Sequence, residues 1–182
     1  MSLTEQFSNA CESFAKEAFT INYTLAKNPE LSSHEFKSVK TIGAVLEKHG
    51  IPVTYEFCNL PTAFKASAVK VDHPKGRLVI LCEYDALPDV GHACGHCASG
   101  SMSTLAALVL HKMQQDGVAF NMDIDKMCIR DSPKWGGPLA LEYEIGWSNK
   151  IVGTNVDLLI SIALETFQGC LYHGVGVIIF FE

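Results

Sequence analysis

Positive charge is scarce in this 182-residue chain: 14 Lys and Arg stand against 20 Asp and Glu, for a formal net charge of −6. Phosphate binding wants a basic face, so the balance argues against nucleic acid as a partner. Long apolar runs are missing too. The greasiest stretches, Leu78 to Cys82 and Ile178 to Phe181, are strand-sized, well short of the roughly 18–20 residues that span a bilayer. No membrane association is expected. The opening MSLTEQFSNACESF lacks both the basic head and the apolar core of a signal peptide, so the expected compartment is the cytoplasm. Charged residues are only 19% of the chain and hydrophobic ones 48%, which argues against disorder and suffices for the core of one domain.

The seven cysteines are an odd number, and without an export signal they read as reduced thiols. Cys11, Cys58, Cys82, Cys128 and Cys170 stand alone among apolar or mixed neighbours, where core packing is the default. Cys94 and Cys97 sit in a denser context.

Residues 2–26 read as a helix with a Ser2/Glu5 capping box and an apolar face of Phe7, Cys11, Phe14, Ala18, Ile21 and Leu25. Asn28-Pro29 breaks it. For a second helix, Ser32 and Glu35 have capping-box spacing and Leu31 and Phe36 suit a hydrophobic staple. Phe36, Val39, Ile42, Val45 and Leu46 form its expected buried stripe, and Gly50 suits a left-handed cap. His49 suits the negative end of that helix's dipole. The period then changes. Ile51 to Phe57, Ala63 to Val71 and Arg77 to Glu83 read as strands, the last continuously apolar like a central strand. A loop from Asp85 to Cys97 leads into a third helix lined by Met102, Leu105, Ala106, Val109 and Met113, on which His111 is expected to face solvent. This order predicts an α/β fold, a helix-flanked mixed sheet with the site at the carboxyl end of its central strand.

After Gly117 local cues stop agreeing. Met127-Cys128-Ile129-Arg130-Asp131-Ser132 matches the translation of a transposon-end adapter used in DNA library preparation: ATG TGT ATA AGA GAC AG encodes its first five residues and begins the sixth codon. Residues 127–132 are therefore expected to be a join, to be kept out of fold reasoning. Residues 133–182 are left unassigned, as sequence foreign to residues 1–126. Within them, Val156 to Leu164 suits a helix or a strand and Val175 to Phe181 a strand.

Chemistry concentrates in Glu83-Tyr84-Asp85-Ala86-Leu87-Pro88-Asp89-Val90-Gly91-His92-Ala93-Cys94-Gly95-His96. Thiolate, imidazole and carboxylate are ligands of zinc and similar metals. Cys94 and His96, two apart across a glycine, can converge on one ion, and the following helix start favours a Cys94 thiolate. Two ligands alone do not make a catalytic site, which typically uses three and an open position.

The segment EYDALPDVGHACGH resembles the metal-binding segment of the aminoacylase and carboxypeptidase-G metallopeptidase family, peptidase family M20. It is most similar to the amidohydrolase branch related to aminobenzoyl-glutamate hydrolase and cytosolic dipeptidase-like proteins. The earlier NPELSSHEFKSVKTIGAVLEKHGIPV resembles the same family's N-terminal helix-loop-helix, so the likeness covers residues 5–115. It implies part of a zinc-peptidase-like catalytic domain and a two-metal hydrolase using zinc or manganese. Cys94 and His96 would be metal ligands, with Asp85 orienting a ligand from behind. Glu83 falls where other branches place a ligand His, His92 only shapes the loop, and Cys97 stands where the branch has Asn or Asp. The implied substrates are small: N-acyl amino acids, aminobenzoyl-glutamate-like amides or dipeptides. Their amide bond would be cleaved by metal-activated water with a Glu as general base.

The family's paired glutamates have no match here. Glu142 and Glu144 have the wrong spacing, and His173 fits no family motif. The expectation is an N-terminal fragment without substantial activity, with pairing into homo-oligomers expected only of a full-length protein that carries a lid domain. One rival is a thioredoxin-like disulfide oxidoreductase using Cys94 and Cys97, since Cys-Gly-His-Cys is also a redox motif. Against it, Ala93 stands where that family has Trp. A second rival, a structural zinc site of His92, Cys94, His96 and Cys97, crowds four ligands into six residues. A third is a metal-free interaction module.

Overall fold

The computed structural model describes residues 1–128 and the backbone of 179–181. Helix α1 (Leu3–Lys27) opens with the expected capping box. Ser2 N–H donates to the Glu5 carboxylate at 2.7 Å, and Glu5 N–H donates to Ser2 Oγ at 3.2 Å. Its buried face is Ala10, Phe14, Ala18, Ile21 and Leu25, with Phe7 and Cys11 half-buried beside it.

Helix α2 (Phe36–Lys48) starts differently from expectation. Ser32 and Glu35 form no capping box, because the chain turns through Ser33 in a left-handed conformation (φ 68°) and Ser32 Oγ reaches no hydrogen-bond partner. Glu30 takes the role from further back. Its carboxylate accepts from Lys37 N–H at 3.0 Å, and from Ser38 N–H and Ser38 Oγ at 2.8 Å each. A carboxylate at a helix N-terminus satisfies orphan donors and complements the dipole. Leu31 and Phe36 are exposed, so no staple buries them. Val39, Ile42 and Leu46 carry the packing. Gly50 takes the expected left-handed cap at φ 81°.

The sheet contains β1 (Val53–Tyr55), β2 (Phe64–Val69), β3 (Arg77–Leu81), β4 (Asp123–Cys128) and β5 (Ile179–Phe181) in the order β1-β2-β4-β3-β5. Only β3 and β4 run parallel; the other pairs are antiparallel. The sheet is mixed, as expected, but its middle strand is β4 and not the apolar β3. Strand β4 escapes sequence reading because Asp123, Asp125 and Lys126 interrupt its apolar pattern. Partners make their burial tolerable. Asp125 lies 3.0 Å from Lys65 Nζ and accepts from Ser67 Oγ at 2.9 Å, while Asp123 accepts from Lys70 Nζ at 2.7 Å. Met127 and Cys128 of the adapter-like stretch are the last residues of this strand. Of the pieces expected after residue 132, Ile179–Phe181 is strand; Val156 to Leu164 lies outside the described residues.

Helix α3 (His96–Gln115) connects β3 to β4 as a parallel crossover and packs along α1. Gly100 lets α3 approach the segment after β3: a Cβ there would stand 3.2 Å from Tyr84 Cβ and 3.3 Å from the Glu83 carbonyl oxygen. His111 is not turned to solvent as expected. Its Nδ1–H donates to the Ala68 carbonyl at 2.7 Å, where a register shift between Ser67 and Val69 frees that group. The main core joins α1, α2, α3 and the sheet through Ile21, Leu25, Ile42, Leu46, Phe64, Tyr84 and Leu108. Burying each large apolar side chain contributes about 1.5–3 kcal/mol.

Candidate metal centre

The crossover places the end of β3 directly against the start of α3. Beyond Leu81 the chain runs extended through Glu83 to Asp85. Ala86 N–H then donates to the Glu30 carbonyl at 2.7 Å, and Ala86 bridges Leu31. The segment that caps α2 therefore also anchors the loop. Leu87 and Gly91 close the loop by exchanging backbone hydrogen bonds of 2.9 and 3.1 Å. A 3-10 turn (His92–Cys94) follows, and Gly95 at φ 81° redirects the chain into α3. That left-handed φ suits glycine, and it folds Cys94 and His96 back over Asp85.

Asp85 meets both expected ligands. His96 Nδ1 lies 2.8 Å from Asp85 Oδ1 and 3.1 Å from the Asp85 carbonyl oxygen. Cys94 Sγ donates to the same carbonyl at 3.8 Å. On the other side of the ring, His96 Nε2 lies 3.0 Å from Glu83 Oε2. Hydrogen bonds to Asp85 first and Glu83 second push the His96 pKa up to about 10, against the opposing effect of burial. At neutral pH the imidazolium is thus held between two carboxylates. The sequence leaves Glu83 without a role; here it pairs with His96. The signal lay in strand alternation, since Glu83 and Asp85 are two apart.

His92 does not join this cluster through hydrogen bonds. Burial first and the charge of His96 second lower its pKa. Cys97 turns the other way. It is buried in the main core, and burial raises its thiol pKa. The disulfide oxidoreductase reading, which pairs Cys94 with Cys97, finds no support: Cys97 packs into the main core while Cys94 faces the Asp85 carbonyl. Glu142, Glu144 and His173 lie outside the described residues.

The donor set fits one end of a metal centre. An Asp85 carboxylate on Nδ1 is the arrangement typical of metal-bound histidines, and Cys94 carries a second candidate donor atom, sulfur, beside it. Among the described residues no group of three or more His, Cys, Asp or Glu is arranged to hold a metal ion. The fit is therefore to part of a ligand shell, and the four-residue zinc site finds no support. Among the described residues no helix is long and apolar enough to cross a membrane.

No protein-family model matches the chain. It is 46% identical over 55 residues to Xaa-Arg dipeptidase of Mus musculus, covering 28% of this chain and 13% of that protein. It is 31% identical over 102 residues to one of the subunits of p-aminobenzoyl-glutamate hydrolase of Escherichia coli K12, covering 47% and 21%. The fold matches the Bacillus subtilis YXEP protein, a dinuclear metal-binding peptidase, with TM-score 0.56 and 22% identity over 64% of this chain and 35% of that one. The chain spans about a quarter or less of the length of these curated relatives. Over the stretches they share, the chain is thus similar to a dipeptidase and an amidohydrolase subunit, and its fold matches that of a peptidase from the M20 family.

Proposed function

We propose that residues 1–126 are the N-terminal part of the catalytic domain of a metal-dependent amidohydrolase. The observation that carries this reading is the Asp85–His96 pair with Cys94 on the same turn, at the carboxyl end of β3. Cys94 and His96 are the residues that would hold divalent metal, zinc or manganese, two ions in the intact family. When bound, such ions polarise a carbonyl and activate water. Asp85 does not touch substrate; it fixes the tautomer and orientation of His96 through Nδ1. Glu83 accepts a hydrogen bond from Nε2, and binding metal at that nitrogen requires this bond to break or swing aside. The substrates are small amides: N-acyl amino acids, aminobenzoyl-glutamate-like amides or dipeptides, acted on in the cytoplasm.

Within this reading residues 127–132 are a join and 133–182 remain unassigned. The paired glutamates and further ligands of the family have no counterpart in the chain, so the chain alone has no substantial hydrolase activity. Homo-oligomers belong to the full-length protein. The test is equilibrium dialysis against zinc or manganese, run beside a hydrolysis assay with an acyl amino acid. Metal retained by the wild type and lost in Cys94→Ser and His96→Ala supports the reading. Equal retention in all three, or turnover at ordinary enzyme rates, contradicts it.

A further inference from the structure

A second cluster of reactive side chains lies between β3 and β4, on the sheet face that packs against α3. Leu81 pairs with Met127, and Cys82 N–H donates to the Met127 carbonyl at 3.0 Å. The next register pair is Cys82 and Cys128, whose side chains leave the sheet on the same face. Neighbouring strands lie about 4.8 Å apart, within the Cα separation that a disulfide spans. Both thiols are free and buried, 1% and 6% exposed. Lys126, with no exposed surface, directs Nζ to Cys82 Sγ at 2.8 Å and lies over the Phe64 ring at 4.6 Å. Burial by itself raises the Cys82 thiol pKa, but the hydrogen bond from Cys128 and then the Lys126 charge outweigh it and bring it down.

We propose that Cys82 and Cys128 are an oxidisable pair, with Lys126 as the cation beside the attacking sulfur, which a small peroxide converts to a disulfide locking β3 to β4. The Cys82 thiolate attacks hydrogen peroxide, giving a sulfenic acid and hydroxide. The Cys128 thiol then attacks that sulfur, forming the S–S bond and releasing water. The proton lost by the Cys82 thiol neutralises that hydroxide, so in sum two thiols and one peroxide give one disulfide and two waters. The thiols' burial restricts the oxidant to a molecule of about peroxide size. Because Cys82 directly precedes Glu83, the bridge fixes the strand end that carries Glu83 and Asp85. The inference concerns the chain as encoded, whatever the origin of residues 127–132, and does not rest on the hydrolase reading.

The test treats the purified chain with hydrogen peroxide, alkylates remaining thiols under denaturing conditions and maps the digest by mass spectrometry. The expected main product joins Cys82 to Cys128, with two thiols lost per peroxide and full reversal by a reductant. Cys128→Ser is expected to stop at a dimedone-reactive sulfenic acid on Cys82. Lys126→Met, accepted only if its circular dichroism is native, is expected to form the disulfide at least tenfold more slowly. Mapping of the wild type decides even if that variant does not fold. Cys82 and Cys128 both alkylated after the oxidant is consumed, a main product joining Cys94 to Cys97, or wild-type rates in a folded Lys126→Met overturns the proposal.

Discussion

Asp85 grips His96 twice through one ring nitrogen: Nδ1 lies 2.8 Å from the Asp85 carboxylate and 3.1 Å from the Asp85 backbone carbonyl. A single residue thereby sets the position of the imidazole ring. It also accepts the Cys94 thiol through the same carbonyl. The backbone contacts survive any side-chain change at position 85; the carboxylate contact does not.

Asp85→Asn is therefore expected to weaken divalent-metal binding without unfolding the loop. Loss of such an outer carboxylate typically costs about 10–100-fold in metal affinity. Calorimetric titration with zinc, alongside unchanged circular dichroism, checks this. An unchanged affinity removes Asp85 from its positioning role.

Glu30→Ala is expected to destabilise the fold, because three donors at the start of α2 lose their acceptor. The cost is about 1–2 kcal/mol, the upper part of the range for cap removal. Ser32→Ala, at the position the sequence favours for capping, is expected to be near neutral. Urea denaturation of the two variants checks the assignment, and the reverse ranking refutes it.

Glu17 links α1 to α2 by accepting from Lys48 Nζ at 2.5 Å and lying 2.6 Å from His49 Nε2. Burial raises its pKa, but the Lys48 and His49 hydrogen bonds outweigh this and hold it below the usual carboxylate value. A carboxyl depressed in the folded state stabilises above its unfolded pKa of about 4.3 and loses that contribution as pH falls through the folded pKa. Glu17→Gln should therefore melt below wild type at pH 6 and converge with it towards pH 2. Lys48 is largely exposed, so the gap is at most about 1 kcal/mol. Thermal midpoints across that range check the sign, and a gap that widens in acid contradicts it.

Much of the fold was legible because its signals are local. The Ser2/Glu5 box and the Gly50 cap each lie within about one helical turn, the α1 stripe repeats at three- and four-residue steps, and the structure keeps all three. The start of α2 was misread because Glu30 reaches it from seven and eight residues back across left-handed Ser33. Strand β4 was missed because Asp125 and Lys126 look like solvent residues until Lys65, Ser67 and Cys82 are folded around them. The strand end and loop of the candidate site were visible from Glu83 to His96, but the Glu83–His96 pair needs the α3 crossover, which spacing alone does not give.

The proposed join is testable at the gene. Re-reading the source locus from fresh DNA across codons 115–140, without a transposon-based library, should show the six codons 127–132 absent and the reading frame continuing into paired glutamates. Their presence unchanged makes residues 127–132 an authentic part of the chain.

The most direct test of the proposed metal centre is the near-ultraviolet spectrum of the chain titrated with cobalt(II), which reports cobalt–thiolate bonding through its charge-transfer band. The account predicts that the band forms in the wild type and in Cys97→Ser, and is lost in Cys94→Ser, because Cys94 faces Asp85 and His96 while Cys97 is buried in the core. A band that persists in Cys94→Ser, or that depends on Cys97, contradicts it.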